Sequence, residues 1–402
     1  MAKNAKITVV LDWFTVRFRV PDGTIPTPEN PEEEFQFESA GFNFHYQGHG
    51  NQQYKYLWKV YHGGEHIATL LSHTRNEKFV RKGICKIDFR NHLFYSGQLW
   101  PLYHQLVGGI GLQYLGISRL DIAIDGVNYL MELCNLYAKQ TRADKVFEFI
   151  GKSRIDNKVL DRATMLYQNF KLGSPKSGKE LTIYNKSLEI VRSRKDYIQK
   201  FWLANGITDQ LIDIPMAANR IKETGEAIYL EGYRNIFRME IRLNGKAIKE
   251  VHPAMTVDLL KTPDGLMSIV KLHTDKFFDA IWWDNAKTTR CTPIVLLPFH
   301  RFNIIPLAKI RHRPTTDIYK VKLSINKTIK QLYTGSLQPD NASAWEMLQF
   351  DILTYDLGKW FERKHSNEWH KAYSAMNPDK QHVSAVYEMI TELIDSLPDE
   401  NE

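Results

Sequence analysis

Cysteine is scarce in this chain: 402 residues hold three, Cys85, Cys134 and Cys291. Their odd number and wide spacing exclude a disulfide scaffold or a zinc ribbon and suit a reducing cytoplasm. Long hydrophobic runs are missing too. Charges interrupt every apolar segment before it reaches membrane-spanning length, and the opening Met1-Ala2-Lys3-Asn4-Ala5-Lys6 leads into a strand-like run without the apolar stretch of a signal peptide. A cytoplasmic protein with no membrane partner is therefore expected. No Gly-x-Ser-x-Gly or Cys–His arrangement points to serine or cysteine hydrolysis. Gly173, Gly178 and Lys179 match most of a phosphate-binding loop, but Glu180 stands where a Ser or Thr would hold Mg²⁺. A strand pattern follows instead of a helix, so this stretch reads as a hairpin turn, not an ATP site. The pairs His45/His49 and His62/His66 have helical metal spacing, yet they lie in glycine-rich, strand-like text and read as surface histidines. There is no internal repeat and no low-complexity tract.

What is present is ordinary for a soluble globular protein: 43% hydrophobic and 25% charged residues, enough chain for a sizeable core. The formal charge of +7 favours a polyanionic partner, nucleic acid ahead of membrane.

Alternation predicts a long first strand over Ile7–Val20, with Val10, Asp12, Phe14, Val16 and Phe18 on one face and Trp13, Thr15, Arg17 and Arg19 on the other. A proline-rich loop follows, then a meander of antiparallel strands to about Phe94, then a helix over Trp100–Val107. Ile117–Asp125 alternates again, with Arg119, Asp121, Ala123 and Asp125 sharing a face. Helical spacing covers Leu133–Ile150 and Leu188–Ala204. Between them a hairpin joins Met165–Leu172 to Leu181–Lys186. Ile236–Leu243 is a further strand, with Arg238, Glu240 and Arg242 opposite Phe237, Met239, Ile241 and Leu243. Beyond about Lys249 the text turns helical, over Asp275–Trp283, Ala344–Arg363 and His382–Leu397, with a basic segment from Arg301 to Lys330. The expected fold is α+β: an antiparallel sheet with flanking helices over residues 1–250, and a more helical, basic region over 251–402 for DNA or partner binding.

Three of these strands place charge on what should be one sheet face: Asp121 with Asp125, Tyr184 with Lys186, and Glu240 between two arginines. Carboxylates inside apolar strands are costly unless paired or bound to metal. Two neighbouring strands carrying them beside a tyrosine would make an oxygen-rich site suited to Mg²⁺ or Mn²⁺. A phenol next to an ammonium suits attack on a phosphodiester, because the cation favours the phenolate and offsets charge on the phosphoryl oxygens. The competing reading is that Asp121–Arg119 and Glu240–Arg238 are ordinary charges on a solvated sheet. After Tyr184, the cations Arg192, Arg194, Lys195 and Lys200 are interleaved with Tyr197, Phe201 and Trp202. That mixture suits phosphate contacts and base stacking, and it equally suits a basic solvated helix face with an aromatic core edge.

In order and spacing, Ile117-Ser-Arg-Leu-Asp-Ile-Ala-Ile-Asp125, Tyr184-Asn-Lys-Ser-Leu-Glu189 and Phe237-Arg-Met-Glu-Ile-Arg242 resemble the rolling-circle replication initiators of filamentous phages (the gene II type) and related plasmids. Leu11-Asp-Trp-Phe-Thr-Val16 looks like their first strand, and the resemblance spans roughly Ile7 to Glu250. It implies a replication-initiator-like core that nicks origin DNA, single-stranded or hairpin, through Tyr184, forming a 5′-phosphotyrosine. It places metal ligands at Asp121 and Glu240 and, less directly, Asp125, with Lys186 and Glu189 as further catalytic candidates. The histidine-pair metal motif of other initiators is absent, as in some members of this branch. Arg119, Arg192, Arg194, Lys195, Arg238 and Arg242 are the expected DNA contacts. A host helicase and polymerase would be partners, and a homodimer is allowed. Two alternatives stay open: a non-catalytic DNA-binding protein of a phage or plasmid replication system, and a metal-dependent nuclease with no covalent step.

Overall fold

In this computed structural model the described residues are 6–28, 34–75, 80–140, 145–151, 155–160, 167–174, 178–224, 229–230, 232–249, 257–284, 290–307, 322 and 324–329. The chain divides into two compact units, residues 1–310 and 311–402, so residues 251–310 are described with the first. Of the second unit only 322 and 324–329 are described, and they are helical. The expected helices over Ala344–Arg363 and His382–Leu397 lie outside the described residues.

The first unit is built on strands β1 (Thr8–Arg19), β2 (Gln36–Ser39), β3 (Phe42–Tyr46), β4 (Tyr54–His62), β5 (Glu65–Thr74) and β6 (Ile84–Phe89), followed by helices α1 (His92–Ser96) and α2 (Leu99–Ile110). Next come β7 (Gln113–Asp125), α3 (Asn128–Lys139), β8 (Phe147–Phe149), β9 (Ile155–Leu160), β10 (Tyr167–Ser174) and β11 (Lys179–Asn185). Helices α4 (Lys186–Ser193), α5 (Asp196–Ala204) and α6 (Ile214–Thr224) lead to β12 (Phe237–Asn244), α7 (Gly245–Lys249), α8 (Pro263–Thr274), β13 (Ala280–Trp283) and β14 (Cys291–Ile294). Eleven strands form one sheet in the order β2-β3-β4-β5-β6-β1-β7-β12-β11-β10-β9, and β14-β13-β8 form a second, small one. Every pairing in the large sheet is antiparallel. The α+β expectation holds.

The large sheet has one dry face. Leu120, Ile122 and Ile124 of β7, Met239, Ile241 and Leu243 of β12, and Leu181 and Ile183 of β11 are all fully buried. Helix α2 covers part of that face, setting Trp100 and Tyr103 against Phe14 of β1 at 5.7 and 6.1 Å between ring centroids. Burial of this much aliphatic and aromatic surface, at roughly 25 cal/mol per Å², is what holds the sheet to its helices. The opposite face carries the alternating charges, and it is only partly covered.

Two turns require their glycines. Gly63 and Gly64 turn β4 into β5 with φ of 56° and 83°, a left-handed pair that suits a two-residue hairpin. Gly126, at φ 88°, ends β7 where a Cβ would lie 2.3 Å from the Lys6 carbonyl oxygen. The hairpin reading of Gly173–Lys179 is also right: β10 and β11 pair directly across it, from Ser174–Lys179 to Asn169–Tyr184.

Several helix expectations are corrected. Leu133–Ile150 is not one helix. Helix α3 stops at Lys139, and Phe147–Phe149 pairs with β13. The Gln140 side chain accepts from the amides of Val146 and Phe147, both at 2.9 Å, which turns an aromatic, β-branched stretch into a strand edge. Asp275–Trp283 is not helical either: α8 lies earlier, opened by the Thr262 cap and Pro263, and Ala280–Trp283 is β13. Leu188–Ala204 is broken at Arg194, which takes a left-handed conformation (φ 55°) between α4 and α5.

Candidate active site

The charged face is organised by register. Across β11, β12 and β7, one row aligns Tyr184, Arg238 and Asp125, the next Thr182, Glu240 and Ala123, and the next Glu180, Arg242 and Asp121. Residues two apart on each strand therefore fall on one surface, and six expected site residues from three strands share it as the alternation implied.

Tyr184 and Lys186 converge by a different route from the one expected. Tyr184 is in β11, whereas Lys186 is the first residue of α4, with Asn185 as the helix cap accepting from the Leu188 amide at 3.2 Å. Asn185 is itself tied to Asn235 at 2.7 Å, and the Lys186 amide donates to the Ile236 carbonyl at 3.0 Å. This strand-to-helix corner brings the Lys186 ammonium to 3.4 Å from the Tyr184 hydroxyl. The hydroxyl donates to Glu240 Oε2 at 3.1 Å. Lys186 also pairs with Glu189 at 2.5 Å, and Glu189 takes Lys195 at 3.2 Å.

These groups form one wall of an open pocket of about 520 Å³. Tyr184, Lys186, Glu189, Asp121 and Glu240 line it, and the cations Arg119, Arg192, Lys195 and Arg242 line it as well. Three expected site residues do not. Asp125 and Arg238 are fully buried, locked together by Arg238 Nε and Nη2 at 2.6 and 2.8 Å, with the Trp202 indole completing the Asp125 carboxylate at 2.7 Å. Asp125 has no vacancy for a metal, and Arg238 cannot reach DNA. Arg194 is exposed at the α4–α5 corner, outside the pocket lining. The aromatics after Tyr184 belong to the core edge: Trp202 is 1% exposed, and Tyr197 and Phe201 pack on Tyr95 at 5.5 and 5.3 Å.

Asp12 is the site residue that alternation missed. It sits in a β-bulge of β1, where the register jumps between Leu11–Ile122 and Trp13–Asp121. A bulge re-aims a side chain, so Asp12 leaves the apolar face on which the alternation placed it and lines the pocket. Its carboxylate accepts from Arg238 at 2.8 Å and from Asn91 at 3.2 Å, and also from the Tyr95 hydroxyl. A lone Asp among Val10, Phe14, Val16 and Phe18 was the available signal, since a carboxylate on an apolar strand face needs a partner.

Burial dominates the electrostatics. It raises the Tyr184 pKa well above 10, reinforced by the nearby Glu240 charge and only partly countered by Arg238. The expectation assigned activation of the phenol to Lys186 together with a metal; in this arrangement the phenol donates to Glu240 and burial outweighs the nearby cations. Glu240 is likewise raised by burial and by the Asp12 and Asp121 carboxylates, and burial and Arg238 lower Lys186. Burial also raises Asp12, but Arg238, Lys186 and the bonds from Tyr95 and Asn91 outweigh it and hold that carboxyl low.

Among the described residues no three His, Cys, Asp or Glu side chains are grouped to hold an ion. Asp121 is gripped by Arg119 at 3.0 Å and Arg242 at 3.2 Å. Glu240 is different: it accepts from Tyr184 and has only a 3.5 Å approach from Arg242, while two like charges press on it. Mg²⁺ commonly takes one or two carboxylates and completes its shell with substrate phosphates and water. Glu240, with Asp121 next to it, fits that kind of ion and not a closed protein cage.

No protein-family model matches the chain, and no curated protein matches it. Among solved structures it is similar to one described as a rolling circle replication initiator protein from Geobacillus stearothermophilus, at 14% identity and a TM-score of 0.35, over 72% of this chain and 93% of that one. A likeness of that extent carries no chemistry, which must come from the side chains themselves.

Proposed function

We propose that the chain is a rolling-circle replication initiator that nicks and transfers one DNA strand, with Tyr184 as the nucleophile. The supporting observation is the Tyr184 hydroxyl, 3.1 Å from Glu240 and 3.4 Å from Lys186, at the wall of a pocket bordered by arginines and a lysine.

A free phenol has a pKa near 10, so about one in a thousand is ionised at pH 7, a shortfall on the order of 4 kcal/mol. Burial widens that gap here. Glu240 closes it as a general base, and its raised pKa suits it to the task. As the Tyr184 oxygen bonds to phosphorus, its proton passes to Glu240 and the bond to the 3′-oxygen breaks; that oxygen takes a proton from water, leaving a 5′-phosphotyrosine and a free 3′-hydroxyl. Lys186 faces the oxygen where charge changes, and Arg242 and Arg119, on the pocket wall, would bind phosphoryl oxygens. Where an ion of the Mg²⁺ or Mn²⁺ class is held at Glu240 and Asp121 instead, it would supply Lewis-acid stabilisation of the phosphoryl and leaving oxygens, and the Tyr184 proton would pass to water, because a metal-bound carboxylate is a poor base. One phosphodiester replaces another, so rejoining needs no ATP. A host polymerase would extend the 3′ end and a host helicase would unwind.

The test is incubation with single-stranded and hairpin oligonucleotides tiled across the DNA molecule that encodes the chain. A covalent adduct resistant to denaturation is expected on the 5′ side of one cut, and it should vanish in Tyr184→Phe while binding persists. A variant that still cuts would point to a nuclease without a covalent step. The saturation of Asp125 and Asp121 by arginines favours a second reading, a non-catalytic DNA-binding protein whose charges hold the sheet. That reading predicts binding without any adduct.

A further inference from the structure

Trp13 is a large aromatic left 38% exposed in a protein whose neighbouring aromatics are mostly buried. The β1 bulge at Asp12 carries it onto the charged face, where it lines the pocket beside Asp121. Its position is fixed on two sides. The indole N–H donates to Thr15 Oγ1 at 2.9 Å, and the Arg119 guanidinium lies over the ring, 4.2 Å from its centroid. Arg119 is in turn forked onto the Asp121 carboxylate. A rigid, half-open indole backed by a guanidinium, next to a phosphate-sized cluster of cations, is the arrangement that receives a nucleobase.

We propose that Trp13, braced by Arg119, is a stacking platform for an unpaired base of the DNA strand held in the Tyr184 pocket. The proposal rests on the nicking reading for the identity of the strand, and it adds a contact to the base that the charged cluster cannot supply. Phosphate contacts hold the backbone without regard to the bases. The platform needs a flat ring, so it selects single-stranded over duplex DNA and sets the strand's position relative to the Tyr184 hydroxyl. It also explains where base stacking resides, since Tyr197, Phe201 and Trp202 are committed to the core.

The experiment measures binding in the Tyr184→Phe background, so that no cutting intervenes. The probes are a fluorescein-labelled dT 20-mer and a 20-mer with the same phosphates but abasic sugars throughout. Trp13→Ala and Trp13→Leu should each weaken the dT 20-mer by about 5- to 150-fold and leave the abasic strand unchanged. Trp13→Phe should restore most of the loss. Arg242→Ala, which removes a phosphate contact, should weaken both probes alike. Equal weakening of both probes by the Trp13 variants, or no weakening, would overturn the platform. A Tyr184-intact protein that shows the stacking pattern but never forms an adduct would sink the nicking reading alone. Adduct formation with no Trp13 effect on binding would sink the platform alone.

Discussion

Two clusters of acid and arginine stand a few residues apart on one sheet face and behave as opposites. At the covered end, Asp125 and Arg238 are both fully buried and joined by two bonds, with Asp12, Tyr95 and Trp202 saturating what is left. At the open end, Asp121 is gripped by arginines whose own side chains are 31% and 40% exposed, beside Tyr184 and Glu240 on the pocket wall. Both carboxylates are buried, and the depth of their arginines separates the clusters. A buried, fully paired charge is rigid and cannot exchange partners. A pair whose cation reaches water can release its carboxylate to a substrate or an ion at modest cost.

The sharpest way to break the contrast is at Tyr184. Tyr184→Phe should abolish the covalent DNA adduct entirely while shifting stability by no more than ~1.5 kcal/mol, about the worth of one hydrogen bond, as read by gel and by urea unfolding. Glu240→Gln keeps the shape and removes the base, and it should slow nicking by about 10²- to 10⁴-fold. At the covered end the effect should move from rate to stability: Asp125→Ala strips a buried Arg238 of two bonds and leaves it the Asp12 carboxylate, which costs roughly 3–5 kcal/mol. Asp121→Ala should cost less, because its arginines can turn to solvent.

The pH dependence of stability sharpens the same contrast. The folded-state pKa of Glu240 is raised above its ordinary 4.5, so the folded state holds that proton longer than the unfolded chain. Its ionisation therefore works against folding, an effect absent below the unfolded value and growing as pH rises through the folded one. Glu240→Gln should be more stable than the parent near neutral pH and lose that advantage as the solution is acidified. Asp12 has the opposite sign: its pKa is depressed from 3.8, so its contribution is present above that value and lost as pH falls through the lower folded pKa. The smallest expected effect is on salt: Arg242→Ala should reduce the slope of log affinity against log salt by about 1.

Much of the site was legible because a strand's period of two is rigid. Asp121, Tyr184 and Glu240 fall on one surface once their strands are neighbours, and the apolar partners Leu120, Ile122, Met239 and Ile241 left little doubt which surface was dry. The facing of Asp12 was misread for the same reason: one extra residue in β1 reverses the parity that the pattern relies on, and only its lone charge on an apolar face hinted at the error. The aromatics of α5 misled in a different way. Tyr197 and Trp202 are spaced alike for a DNA-facing and a core-facing helix edge, and only the packing of α5 against Tyr95 distinguishes the two. The stretch 147–149 has helical spacing and is a strand, because the Gln140 side chain and β13 offer its backbone better partners than a helix would.

By itself, the sequence determined the antiparallel sheet, its dry face and the convergence of a phenol with carboxylates and cations, since alternation and β-propensity are local properties of the chain. Which carboxylate has a buried arginine and which has arginines that reach solvent, where the bulge falls, and which tryptophan faces the pocket were decided only by tertiary structure. Those outcomes depend on what lies above each side chain, and burial is set by segments distant in the chain, here α1 and α5 closing over one end of the face and leaving the other to solvent.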